Sequence, residues 1–196
     1  MAYYIDENNI DILIEGIKNN HSVFAMMTDT VAGIMCNAYD NVAVEKIYSI
    51  KKRNINKPLG IFVHGNEKRN IIKNIEDIVI VNGENKKIVE KLYTYWPGPL
   101  TIIFNKKIGG TIGVRMPKNN FLNLLLSKID FDIAQTSMNL EGERPSMSIE
   151  EIDEKFGREL DYIVKVKNES TNHSSTIVDV TGKPFIKRQG DLLIEV

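Results

Sequence analysis

The sequence predicts an α/β domain built on a mixed parallel and antiparallel sheet flanked by helices. Three observations carry this. Apolar segments of helical period alternate with short strand-like runs along most of the chain. The strand-like runs near the end follow one another without helices between them, which argues for a mixed sheet rather than a purely parallel one. Nothing among the 196 residues reads as a linker, a repeat or a low-complexity tract. One domain over 1–196 is therefore expected, with no extra C-terminal domain.

The elements follow in order. Asn9 to Lys18 is a helix, with Ile10, Leu13, Ile14 and Ile17 at helical spacing. Ser22 to Met27 is a buried strand, Val42 to Lys52 a helix, and Leu59 to Val63 a strand. Glu84 to Tyr95 is helical and must stop at Trp96-Pro97-Gly98-Pro99, because two prolines forbid continuation. Leu100 to Phe104 and Thr111 to Met116 are strands, Asn119 to Lys128 a helix, and Asp132 to Thr136 a strand. Ser148 to Lys155 is a helix that Gly157 ends. Tyr162 to Val166, Thr176 to Val180 and Pro184 to Arg188 are the closing strands, the last two joined at Thr181-Gly182. No element is assigned to 28–41 or 64–83, and strand directions are not legible.

Composition excludes several classes. The net charge of -1 gives no bulk attraction to nucleic acid, although a local basic patch remains open. A single cysteine, Cys36, rules out an intrachain disulfide and reads as a buried reduced thiol. The first residues lack a basic and apolar leader, and no apolar run reaches membrane-spanning length, so a cytoplasmic protein is expected. His21, His64 and His173 stand apart, without zinc-ligand spacing. No glycine-rich phosphate loop and no serine nucleophile elbow occurs, so any nucleotide must be held by scattered side chains.

Those side chains can be nominated. Lys51 falls three and four residues after Tyr48 and Ile47, on the apolar stripe of its helix, where a cation usually meets an anion. With Arg53 it also has an ordinary reading, as a partner of the last helical carbonyls. In extended backbone, Ser137 and Asn139 point one way and Met138 the other. Two cations with a hydroxyl and an amide suit a polyphosphate. Thr28 and Thr30 share a face opposite Asp29, and taken alone this segment reads as a turn in which Asp29 caps backbone donors. In Thr111 to Met116, Thr111, Gly113 and Arg115 share the polar face. Gly113 leaves room for a ligand carboxylate to be gripped by Arg115 through two parallel bonds, or Arg115 pairs with a surface acid. Ser174, Ser175 and Thr176 suit an anion, or bond locally to backbone. Glu141 to Ser146 is a polar loop of the kind that covers sites. Arg188-Gln189-Gly190 ends the last strand, where an arginine can reach phosphate.

Read together, these segments resemble the YrdC-type threonylcarbamoyl-AMP synthase family over nearly the whole chain. The matching stretches are Thr28 to Val31, Lys51-x-Arg53, Lys57-Pro58-Leu59, Trp96 to Thr101, Val114 to Pro117, Thr136-Ser137-x-Asn139, Pro145-Ser146, Ser175 to Asp179 and Arg188-x-Gly190. The resemblance implies a twisted mixed sheet around a deep, positively lined cavity. It implies formation of L-threonylcarbamoyl-AMP and pyrophosphate from L-threonine, bicarbonate or CO2, and ATP with Mg2+, and a partner transferase that carries the group to tRNA. It places ATP on Lys51, Arg53, Thr111, Ser137, Asn139, Ser146 and Arg188, with Lys51 and Arg53 stabilising the reacting phosphates. It places threonine on Thr28, Arg115, Thr136 and Ser175. No protein-held metal is implied. The chain departs from the family's usual residues at Met27, Ala32, Asn54 and Met138. Two other readings stand beside it: a non-catalytic RNA-binding module, with weak RNA binding, and a carbamoyl-adenylate module like that of hydrogenase maturation proteins.

Overall fold

The computed structural model describes residues 1–81, 83–167 and 170–196. Its elements are β1 (Tyr3–Ile5), α1 (Ile10–Asn19), β2 (Phe24–Met27), β3 (Ala32–Asn37), α2 (Asn41–Lys51), β4 (Gly60–Phe62), α3 (Lys68–Ile78), β5 (Val79–Ile80), α4 (Lys86–Tyr93), β6 (Leu100–Lys106), β7 (Thr111–Arg115), α5 (Asn120–Lys128), β8 (Ile133–Ser137), α6 (Ile149–Phe156), β9 (Tyr162–Val164), β10 (Thr176–Asp179) and β11 (Phe185–Arg188). The strands form one sheet in the order β1-β9-β2-β3-β8-β4-β7-β6-β10-β11, with β5 added beside β6. Parallel pairs (β1 with β9, β9 with β2, β4 with β7, β6 with β10) are interleaved with antiparallel ones, as the sequence predicts.

Four elements escape the sequence reading: β1, β3, α3 and the short β5. β3 is buried along almost its whole length, so it lacks the alternation that marks a half-exposed strand. α3 does carry a helical stripe in Ile71, Ile75 and Ile78, but its many Asn and Lys residues dilute the signal.

The two faces of the sheet are covered unequally. On one face α2 and α6 pack Ala43, Ile47, Ile152 and Phe156 against Ala25, Ile34, Cys36 and Ala134. On the same face, α3 and α4 pack Ile71, Ile75, Val89 and Leu92 against Ile61, Ile102, Phe104, Val114 and Val178. The other face is covered by α1 and α5 over only half its width, where Leu13, Ile17, Leu122 and Leu125 meet Phe24, Met35, Phe62 and Ile133. Each fully buried side chain of this size stabilises the fold by roughly 1.5–3 kcal/mol. Over the rest of that second face, on β4, β7, β6 and β10, the alternating positions are Gly60, Gly113, Arg115, Thr101, Ile103, Ile177 and Asp179, and they line a cavity. The cores on the covered parts supply the stability that lets this stretch remain polar.

Candidate active site

The cavity holds about 450 Å3 and is bounded by residues from seven strands and the loops that follow β2, α2 and β9. Arg53, Arg115, Lys187 and Arg188 line it, and among the described residues Asp179 is the one lining carboxylate. In a chain of net charge -1 this is a strong local excess of positive charge.

Arg115, at the end of β7, is 5% exposed and tightly held. Its Nη2 donates to Asp29 Oδ1 at 2.5 Å, its Nη1 to Thr30 Oγ1 at 2.7 Å, and its Nε to the Gly98 carbonyl at 3.2 Å. Asp29 also accepts from the Lys118 backbone N–H at 3.0 Å. The turn after β2 therefore does more than cap itself, as the segment alone suggests: Asp29 clamps Arg115 from the far side. Burial lowers the affinity of Arg115 for its proton, and Asp29 opposes that shift. Thr28 Oγ1 donates to the Val31 carbonyl at 2.6 Å and lies 3.1 Å from Thr30 Oγ1. The Trp96-Pro97-Gly98-Pro99-Leu100-Thr101 run has a visible purpose. Gly98 supplies a carbonyl to Arg115, and Thr101 pairs with Arg115 across β6 and β7.

Opposite Arg115 stands Ser175. Its Oγ lies 2.9 Å from Thr101 Oγ1, and its carbonyl accepts from Arg188 Nη2 at 2.8 Å and Nε at 3.1 Å. Burial, and then the Arg115 guanidinium, weaken the hold of Arg188 on its proton. Two guanidinium groups thus share one end of the cavity with one buried acid, Asp29, behind them, an arrangement that an incoming anion relieves. Gly190 fits against this point so closely that a Cβ there would lie 2.1 Å from the Ser174 carbonyl oxygen.

At the other end, Arg53 donates from Nε to the Lys57 carbonyl at 3.1 Å and from Nη2 to the Pro58 carbonyl at 3.2 Å. Lys51 behaves differently from expectation. It is buried and does not line the cavity. Its ammonium donates to the Ser137 carbonyl, to the Asn139 carbonyl at 2.7 Å and to Asn139 Oδ1 at 2.9 Å. The partner of this apolar-face cation is a set of neutral oxygens. Burial first, then Arg53, push the Lys51 pKa down to about 8. Asn139 lies outside the lining too: it accepts from Ser137 Oγ at 2.5 Å, and its Nδ2 donates to the Leu140 and Glu143 carbonyls. Ser146 is buried behind it, its N–H bonded to the Met138 carbonyl at 2.8 Å. The loop from Glu141 ties in the Arg53 segment. Glu141 accepts from the Asn54 N–H at 2.9 Å and pairs with Lys57. A proline at position 54 could not donate that bond.

Of the residues nominated from sequence, Arg53, Thr111, Ser137, Arg188, Thr28, Arg115, Thr136 and Ser175 meet around the cavity. Lys51, Asn139 and Ser146 form the scaffold behind it. Thr101, Gln135, Asp179 and Lys187 also line it and were not nominated. Strand alternation from Arg115 could have found Thr101 only with the β6–β7 register in hand.

A family model described as telomere recombination, spanning the Sua5, YciO and YrdC proteins, matches residues 17–190. The chain belongs to the Sua5/YciO/YrdC family. A family member from Methanocaldococcus jannaschii, named provisionally as a threonylcarbamoyl-AMP synthase, is 31% identical over 98% of this chain and 93% of its own. The threonylcarbamoyl-AMP synthase of Pyrococcus abyssi is 30% identical over 97% of this chain, which spans 56% of that longer protein. The structure of P. abyssi Sua5 complexed with L-threonine superposes with a TM-score of 0.80 at 26% identity, covering 98% of this chain and 58% of that one. E. coli YciO shares the fold over 97% of both chains, with a TM-score of 0.80 at 20% identity.

Proposed function

We propose that this chain is an L-threonylcarbamoyl-AMP synthase. The observation that carries the proposal is the pair of guanidinium groups, Arg115 and Arg188, set among Thr101, Ser175, Thr28 and Thr30 in a cavity whose other end presents Arg53 and Ser137. One end suits an amino acid: Arg115 still has N–H groups for a carboxylate, and the hydroxyls suit the small polar side chain of threonine. The other end suits phosphates. The names of its relatives and the threonine complex of Sua5 support the same substrates.

In this reading threonine takes up CO2 on its nitrogen, losing a proton to solvent. A carbamate oxygen then bonds to the α-phosphorus of ATP as the bond to pyrophosphate breaks. The protein would act by alignment and charge neutralisation. Holding two weak reactants in line can lower a barrier by roughly 7–11 kcal/mol. Arg53 would neutralise charge on the phosphates. Lys51 would act one step back, fixing Ser137 and Asn139. Mg2+ would enter on the phosphates as part of the nucleotide. Asp179, the one lining carboxylate among the described residues, already accepts from Thr181 and faces Lys187, so the lining suits a metal carried by substrate. The product would pass to a transferase acting on tRNA, and the buried Cys36 thiol suits a reducing cytoplasm.

The test is to incubate the chain with ATP, Mg2+, bicarbonate and threonine and seek the mixed anhydride by mass spectrometry. Threonine-dependent product and pyrophosphate are expected. Their absence overturns the reading, and turnover of carbamoyl phosphate in place of threonine would turn it toward a carbamoyl-adenylate module. Salt-sensitive RNA binding without ATP turnover would turn it toward an RNA-binding module.

A further inference from the structure

The floor of the cavity has a feature that the substrate assignments leave unused. Met35, Gln135, Gly60, Gly113, Ile103 and Asp179 stand in one continuous row across β3, β8, β4, β7, β6 and β10, each paired with the next. The middle of the row is two glycines, so there the backbone is bare. The Gln135 side chain occupies the first gap. A Cβ on residue 60 would lie 2.6 Å from Gln135 Nε2, so Gly60 is what allows the amide to lie across β4 toward Gly113. Among the described residues no hydrogen bond engages this amide, although it lines the cavity. A half-buried carboxamide with neither half satisfied inside the protein is available to a ligand.

Position narrows the ligand. Gln135 lies two residues from Ser137 on the same strand face, beside the end read as phosphate-binding. Gly113, the neighbour its amide reaches toward, lies two residues from Arg115 on the same face, about 6.6 Å along β7. The amide therefore stands between the two ends, where the reacting groups must meet. It is neutral in a cationic lining, and it offers a donor and an acceptor on one edge. A carbamate presents the complement: its N–H, and the oxygen syn to that N–H.

We propose that Gln135 recognises the N-carboxylated amino acid, accepting from the carbamate N–H through Oε1 and donating to its oxygen through Nε2. This rests on the reading of the chain as a threonylcarbamoyl-AMP synthase. Gln135 thereby discriminates the carbamate from free threonine, whose ammonium lacks the oxygen. It holds a species that otherwise reverts to amine and CO2, and aims its second oxygen at the α-phosphorus.

Two variants test it. Gln135→Leu removes both partners, and Gln135→Glu replaces the donor with a charge that repels the carbamate. Losing a paired bond to an ionic group should raise the bicarbonate KM about tenfold in Gln135→Leu, and more in Gln135→Glu. The dissociation constant for ATP, measured without threonine or bicarbonate, should stay within about twofold, and the midpoint of chemical unfolding should not move. Unchanged bicarbonate KM and kcat in both variants would overturn the proposal. Weakened ATP binding in step with the bicarbonate effect would overturn it too, because the amide would then face the nucleotide. If the unaltered chain makes no threonylcarbamoyl-AMP, the parent reading fails and takes this one with it. A working parent with indifferent variants sinks only the role of Gln135.

Discussion

Asp29 and Arg115 form the decisive contact at the residue scale. Both are nearly buried, and each satisfies the other and a backbone group as well. Asp29→Ala would leave a guanidinium buried without its counter-ion, so a loss of about 3–5 kcal/mol is expected in denaturant unfolding. A loss below about 1 kcal/mol would mean that water reaches the pair. Lys51 gives a pH prediction. Its pKa falls from the ordinary 10.5 to about 8 in the fold. Between those values the unfolded chain keeps a proton that the folded chain has released, so stability attributable to Lys51 rises with pH across that window. Below about 8 both states are charged and the contribution is flat. The opposing titration of the buried Cys36 thiol, whose pKa burial pushes up to about 12, is common to both chains, so the unfolding free energy of the parent relative to Lys51→Met should rise from neutral pH to about pH 10. A rise that persists in the variant would assign it to another group. The sequence placed Lys51 on an apolar helix face. It could not show that the waiting partners are the Ser137 carbonyl and Asn139, because those come from the end of β8 and the bend after it, 86 and 88 positions away.

Elements fix where such residues arrive. The cap of α2 is Asp40, whose carboxylate accepts from the Val42 and Ala43 N–H groups at 3.1 and 3.2 Å. Asp40→Ala should cost about 1 kcal/mol of unfolding free energy, the usual worth of such a cap. The close of β11 is more demanding. Gly190 donates to Thr176 Oγ1 at 3.0 Å, and a Cβ there would lie 2.4 Å from the Ser175 carbonyl carbon and 2.5 Å from the Thr176 nitrogen. Those are backbone atoms and cannot swing aside. Gly190→Ala should push the chain end off β10, at a cost of roughly 1–3 kcal/mol. It should also weaken threonine binding, read by calorimetry, because Ser175 and Arg188 are held at that junction. Undiminished threonine affinity would detach the junction from the site. At this scale the sequence was legible where burial is one-sided. α1 and α5 show helical stripes, and β7 alternates Ile112 and Val114 against Thr111, Gly113 and Arg115. It was illegible at β3, where Ala32 to Cys36 are all buried and alternation vanishes.

The whole molecule is a sheet with one face fully covered by helices and the other half covered, the open half being the cavity. Of its lining cations Arg115 is buried, but Arg53, Lys187 and Arg188 reach solvent, so nucleotide binding should be salt-dependent. The rise in melting temperature given by ATP should shrink as KCl is raised from low ionic strength to about 1 M, where the screening length falls to about 3 Å. An unchanged rise would mean that contacts other than charge hold the nucleotide. The sequence by itself determined the fold class and most helices and strands, and it nominated side chains such as Lys51, Arg53 and Arg115 as anion partners. These follow from periodicity, turn chemistry and residue type, which are properties of neighbouring residues. Only the tertiary structure decided strand direction and register. With them came the burial of Lys51 behind the site, the Asp29 clamp on Arg115, and the Gly60–Gly113 floor on which the Gln135 amide lies. The physical reason is that backbone pairing between distant strands sets which faces align, and a hydrogen bond between strands depends on that register and carries no mark in local sequence.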